Sequence, residues 1–205
     1  MTTPLREIIV GDLSDLPTGA MGARNVVWWG NIGFMLIEGT AFALAIGAYL
    51  YLQSMSPSWP PRGDALPGLF WSTIFTVCLL ASELPNLWVS RKTRQKDARG
   101  VRKGTLLMAV LGLVLVGLRG FELAHLNIRW DHDAYGSVVW MLMILHTSHL
   151  ITDLGDTIVQ SAWLYTHKIE EDQFSDVEDN SEYWSFVVLA WLPLYVLLYW
   201  VPRWV

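Results

Sequence analysis

Five apolar stretches, at about 26–52, 66–90, 104–126, 134–165 and 183–204, run through this chain, and each is 22 residues or longer. A helix needs about 20 apolar residues to cross the hydrocarbon layer, whereas a tilted barrel strand needs about 9 to 11 with alternating polarity. Backbone inside that layer must satisfy its own hydrogen bonds. The segments therefore predict an all-α polytopic membrane protein, a bundle of five transmembrane helices. With 205 residues, 53% hydrophobic and 16% charged, the chain has no room for a separate soluble domain, for which about 25% charged residues is usual. The organisation reads as a cytoplasmic N-terminal segment, 1–25, and a membrane domain, 26–205. The first segment mixes Arg6, Glu7, Asp12, Asp15, Pro17 and Arg24 and lacks the apolar core of a cleavable signal.

Lysine and arginine set the orientation, because positive residues in short loops stay on the cytoplasmic side. The N-terminus and the 91–103 and 166–182 loops share one face, with ten positives: Arg6, Arg24, Arg91, Lys92, Arg94, Lys96, Arg99, Arg102, Lys103 and Lys168. The other face has three, Arg62, Arg129 and Arg203. The N-terminus is expected inside and the C-terminus outside. Tryptophans near the helix ends, among them Trp28, Trp88, Trp130 and Trp204, suit the headgroup zone. The basic 91–103 run reads as a topology signal or an anionic-lipid contact, and the acidic 170–182 run as a solvated connector. A net charge of -5 gives no global basic field for nucleic acid. The single cysteine, Cys78, excludes a disulfide framework.

Ionisable residues at bilayer depth cost about 2.5 to 3.5 kcal/mol each on insertion scales, which makes each a functional or pairing candidate. Glu38, Glu83, Arg119, Glu122, His125, His146, His149, Asp153 and Asp156 all fall inside the apolar segments. His146, His149, Asp153 and Asp156 lie within a sector of roughly 80° of one helix, a polar stripe that should face protein. Arg119 and Glu122, three apart, can pair along their helix, and Arg119 can instead reach Asp153 on the next. Glu122-x-x-His125 has the spacing of a di-iron bundle motif, with Glu38, Glu83, His146 and His149 as further ligands, but such bundles use two such motifs. His146 and His149 point to the same side of one helix and cannot flank one haem. An interhelical hydrogen-bond and ion-pair network is the plainest reading. A stand-alone di-metal membrane oxidase and a transporter with helices interrupted at Pro85 and Pro193 stand beside it.

In order along the chain, the segments resemble subunit III of the haem–copper terminal oxidases (cytochrome c oxidase) in its short five-helix form. The stretch WGNIGFMLIEGTAFALAIGAYLYL surrounds Glu38 as the first shared helix of that family does, and Trp59-Pro60-Pro61 matches its WPP. CLLASELPNLW is similar to its LLLAS…W stretch, and Leu118-Arg119-Gly120-Phe121-Glu122 stands where L-Q-A-Y-E is usual. His146-Thr147-Ser148-His149 takes the place of H-G-L-H, and the run from Tyr183 to Trp191 parallels Y-W-H-F-V-D-V-V-W. Ser185, Val188, Arg119 and Asp153 depart from the family's His, Asp, Gln and Gly, which marks a divergent member.

The resemblance implies a non-catalytic core subunit with no catalytic residue, metal or cofactor on this chain. Haem and copper are then expected on partner subunit I, with subunit II as the partner that receives electrons, and phospholipid is expected in a cleft between the helices. Glu38, Glu122, His146, His149 and Arg119 are the lipid-cleft or buried polar candidates. The complex is expected to be a proton-translocating oxidase of a bacterial inner membrane, with support for oxygen access and proton uptake as this subunit's part. Nitric oxide reductase accessory subunits resemble the same family and form the alternative.

Overall fold

A computed structural model describes residues 26–61, 66–169 and 171–204, without the side chains of Glu171 and Asp172. The expected N-terminal segment with Arg6 and Arg24, and also Arg62, Glu170 and Val205, lie outside the described residues. Five long helices follow: α1 (Val26–Met55), α2 (Leu69–Arg94), α3 (Ala98–Ala124), α4 (Ala134–Thr166) and α5 (Glu171–Tyr195). α5 continues through a π-helical turn, Val196–Trp200, into a last turn, Val201–Trp204. All five spans are long and apolar enough to cross a membrane.

Main contacts run α2 to α3, α3 to α4, α4 to α5 and α5 back to α2. These four helices form a ring, and α1 lies in the groove between α4 and α5. Only 17% of the most apolar stretch of α1 is buried, so most of its surface is left to lipid or a partner. Between α2 and α3 the close approach depends on Gly104, where a Cβ would run into the side chains of Val89 and Trp88. Small residues serve this purpose at membrane helix interfaces.

The basic 91–103 run is not a loop but a turn between two helices. Arg91, Lys92 and Arg94 form the last turn of α2, where cations suit the helix C-terminus. Lys96, at φ 51, ends that helix with its N–H on Thr93 O and the Asp97 N–H on Lys92 O, the Schellman pattern. Asp97 then caps α3 by accepting from the Gly100 N–H at 3.1 Å. That N–H, and after it Lys92, hold the Asp97 carboxyl below its ordinary value. The cap is therefore intact above the usual aspartate range near pH 4 and is lost as pH falls through the lowered folded value. Asp97→Ala is expected to speed amide exchange across the first turn of α3 at neutral pH, and acidification of the wild type should do the same.

The acidic 170–182 run is likewise not a connector. From Glu171 on it is the first three turns of α5, because Phe174, Val177, Ser181, Trp184, Val188 and Trp191 recur at alternating spacings of three and four and form an inward stripe. Acidic residues also suit a helix N-terminus. Glu178 Oε1 takes the Arg94 Nε–H at 3.0 Å, and Glu182 Oε2 takes the Trp28 indole N–H at 2.9 Å.

Pro85 and Pro193 lie inside continuous helices, so neither marks a break. The irregularity falls at the π turn, ahead of Pro202, whose ring crowds the carbonyl four residues back. There the Val201 N–H reaches Val196 O. The extra residue lets Leu197, Leu198 and Tyr199 all turn inward. Arg203 fastens this end by donating to Tyr199 O and, at 2.5 Å, to Pro67 O. On the same side of the bundle the Trp59–Pro60 peptide is cis, and the Trp59 indole N–H donates to Tyr49 Oη at 2.7 Å.

Candidate functional site: a polar core and a lateral cleft

Two polar assemblies occupy the bundle. The first lies inside the four-helix ring. Arg119 on α3 donates from Nη1 to Glu122 Oε2 at 2.7 Å, one turn along the same helix, as the i, i+3 spacing predicted. From Nη2 it donates to His146 Nδ1 on α4 at 2.9 Å. A guanidinium has only hydrogens to offer, so Nδ1 accepts. His146 Nε2, 3.1 Å from Val187 O, carries the proton, and the ring is neutral. Tyr199 on α5 donates to Glu122 Oε1 at 2.5 Å. Phe75 of α2 and Trp191 of α5 cover the guanidinium at 3.8 and 4.0 Å, a cation–π sandwich. Arg119, Glu122 and His146 are each 1% exposed or less.

The second assembly joins α1 to the ring. Glu38 Oε2 accepts from Tyr183 Oη at 2.8 Å, and Oε1 lies 3.2 Å from His149 Nε2. One carboxylate on α1 thus holds both α4 and α5. Asn31, two turns nearer the start of α1, donates to Asp179 O at 3.0 Å. Tyr183→Phe is expected to cost about 1.5 to 3 kcal/mol, the usual range for a hydrogen bond to a charged group. Unfolding of wild type and variant in the same detergent measures it. Beside this seam, between α1, α4 and α5, opens a lateral cleft of about 980 Å³.

The five candidates from the sequence thus divide between the two assemblies: Arg119, Glu122 and His146 in the ring, Glu38 and His149 at the seam. Arg119 does not pair with Asp153. Its two terminal nitrogens serve Glu122 and His146, its buried Nε has no hydrogen-bond partner, and both oxygens of buried Asp153 lack one too. The stripe on α4 is also not uniformly inward, since Asp156 is exposed. His125 sits at the end of α3, exposed, with Nδ1 on Phe121 O. Glu83 accepts from Ser185 Oγ at 2.6 Å, joining α2 to α5. Among the described residues no group of three or more His, Cys, Asp or Glu lies close enough together to hold a metal ion, so the spacing of Glu122 and His125 assembles no di-metal site. Tyr183, Tyr199, Phe75 and Trp191 were absent from the sequence candidates, because only the packing of α5 and α2 against their neighbours brings them to the carboxylates and the guanidinium.

Five helices long and apolar enough to cross a membrane, packed around a buried polar core, define a multi-pass helical membrane protein. Residues 18–203 match the family model described as cytochrome c oxidase subunit III, and the chain belongs to that family. It is 25% identical to cytochrome c oxidase subunit 3 of Synechocystis sp. over 88% of this chain and 78% of that protein. With the subunit 3 of Thermostichus vulcanus it shares 25% over 85% and 87%. With the probable cytochrome c oxidase subunit 3 of Mycobacterium leprae it shares 25% over 89% and 91%.

Proposed function

We propose that this chain is a non-catalytic core subunit of a proton-translocating haem–copper terminal oxidase of aerobic respiration. In this reading haem and copper sit on subunit I, subunit II receives the electrons, and the bundle packs on subunit I. It holds phospholipid in the cleft between α1, α4 and α5, and it supports oxygen access and proton uptake. The chain lies in a bacterial inner membrane with its N-terminus cytoplasmic and its C-terminus periplasmic. The observation that carries the reading is the family match across 18–203. The interior agrees with it: Glu38, Glu122 and His146 are already engaged by protein donors. The cations gathered at the α2–α3 turn support this orientation.

Mild-detergent purification of the tagged chain, with an absorption spectrum and metal analysis of what co-elutes, is the test. Haem and copper are expected on a second, larger subunit, with oxygen consumed by the complex and no visible bands from this chain alone. Stoichiometric iron on the isolated chain would overturn the reading in favour of a di-metal enzyme. Consumption of nitric oxide in place of oxygen would move it to the nitric oxide reductases.

A further inference from the structure

The α2–α3 pair forms the edge of the ring opposite the groove that holds α1. Along α2, Val77, Leu80, Leu84 and Leu87 are exposed at alternating spacings of three and four, and the next place in that row is Arg91. Along α3, Leu113, Val110 and Leu106 form a matching exposed row, which runs back to Lys103 and Arg99. Residues so spaced share one face of a helix. Both apolar rows on this side of the bundle therefore end in cations beside the turn. Arg91 lies about 4.5 Å along the axis from the end of α2, and Lys103 about 7.5 Å from the start of α3.

The cations of this turn are not evenly matched. Lys92 meets Asp97 at 3.2 Å, Arg94 meets Glu178 at 3.0 Å, and Arg102 donates to His167 O at 3.0 Å. Arg91, Arg99 and Lys103 are exposed and make no hydrogen bond or ion pair among the described residues. Asp97 is the one carboxylate of the 91–103 run, and Lys92 and the Gly100 N–H already hold it. The cations without a countercharge are thus the three that end the outward rows, and their anions come from outside the chain.

What lies beneath them defines the kind of anion. Leu87 follows Arg91 down its row, and Leu106 follows Lys103, so the anion stands over an apolar layer. Trp88, 39% exposed, lies at the same level with its ring beside Gly104 in the α2–α3 groove. An indole suits the headgroup zone, long cationic side chains carry their charge up to it, and clustered cations there attract acidic lipid. An acidic protein segment would use the cations alone, whereas a phospholipid uses the cations, the ring and the rows below them.

We propose that the outer face of the α2–α3 pair docks acidic phospholipid, with Arg91, Arg99 and Lys103 selecting its headgroup over a net-neutral one. This surface shares no residue with the cleft between α1, α4 and α5.

The test uses the purified complex in vesicles of equimolar phosphatidylglycerol and phosphatidylcholine, each in turn carrying a photoactivatable analogue. Labelled peptides of this chain are identified by mass spectrometry, those of α2 and α3 apart from those of α1, α4 and α5, so that the reading of the cleft stands or falls separately. At about 0.01 M salt, phosphatidylglycerol is expected to label the facing ends of α2 and α3 at least about tenfold more than phosphatidylcholine, and the ratio should fall towards one at about 1 M, where the screening length shrinks from about 30 to about 3 Å. Arg91→Gln, Arg99→Gln and Lys103→Gln should each lower the ratio by up to about fivefold, the worth of one cation near an acidic leaflet. Arg99→Lys, which keeps the charge, should leave it unchanged, and the triple glutamine variant should bring it near one. Should the triple variant insert wrongly, the single variants and the salt series still decide. Equal labelling by the two lipids at low salt, or a ratio that neither salt nor the single variants move, overturns the selectivity. Absence of labelling by either lipid means that a protein covers this face and overturns the docking surface. Loss of labelling to inorganic phosphate beyond that to chloride of equal ionic strength identifies a soluble phosphate as the occupant and likewise overturns it.

Discussion

Arg119→Leu is expected to destabilise the bundle by about 3 to 5 kcal/mol, the cost of stranding one partner of a buried ion pair. The guanidinium is the only countercharge hydrogen-bonded to Glu122 among the described residues, and it also donates to His146 and fills the space between Phe75 and Trp191. Its loss leaves a carboxylate at the centre of the ring with only the Tyr199 hydroxyl. Removing both charges, as in Arg119→Gln with Glu122→Gln, should recover most of the loss, since a buried pair replaced as a whole is often close to neutral. A double-mutant cycle on unfolding in mixed detergent isolates the coupling. A cost below about 1 kcal/mol for Arg119→Leu would show that water reaches Glu122 and that the pair behaves as a surface bridge does.

Asp153→Leu carries the opposite sign. A buried polar group without a hydrogen-bond partner costs about 1 to 3 kcal/mol, and neither oxygen of Asp153 has one. Substitution by leucine is expected to raise stability by that amount, and Asp153→Asn by less, because the amide remains unmet. Combined with Arg119→Gln, the Asp153 change should be additive, because the two side chains share no hydrogen bond. Strong coupling in that cycle would restore the pairing between Arg119 and Asp153 that helix spacing alone suggested. Destabilisation by Asp153→Leu would mean that the carboxyl has a partner, such as an occupant of the cleft it backs.

Much of the architecture was legible from hydropathy. Uninterrupted apolar runs placed all five helices, and the i, i+3 spacing gave the Arg119–Glu122 pair before any coordinates. The misjudged parts have a common cause: charge was taken as a sign of loop. At 91–103 the charges flank a three-residue turn, because Asp97 caps α3 and the cations suit the end of α2. At 170–182 the acidic residues hid a stripe from Phe174 through Val177, Ser181 and Trp184, whose spacing of three and four was present in the sequence. Partners across helices were a different matter. Nothing in one sequence states that Tyr183 meets Glu38 or that Tyr199 meets Glu122, because those pairs depend on the rotation of α5 and on the extra residue of its π turn.

The stacking of opposite charges within one turn of α3 also fixes how the core responds to voltage. Arg119 and Glu122 are three residues apart, about 4.5 Å along the axis, in a hydrocarbon layer of about 30 Å. A full charge carried across that layer exchanges about 2.3 kcal/mol per 100 mV, so a neutral pair separated by that fraction feels only about 0.3 kcal/mol. Energising the membrane therefore leaves the ring's interior almost untouched, while the uncompensated carboxylate of Asp156 on the cleft wall takes the field in full proportion to its depth.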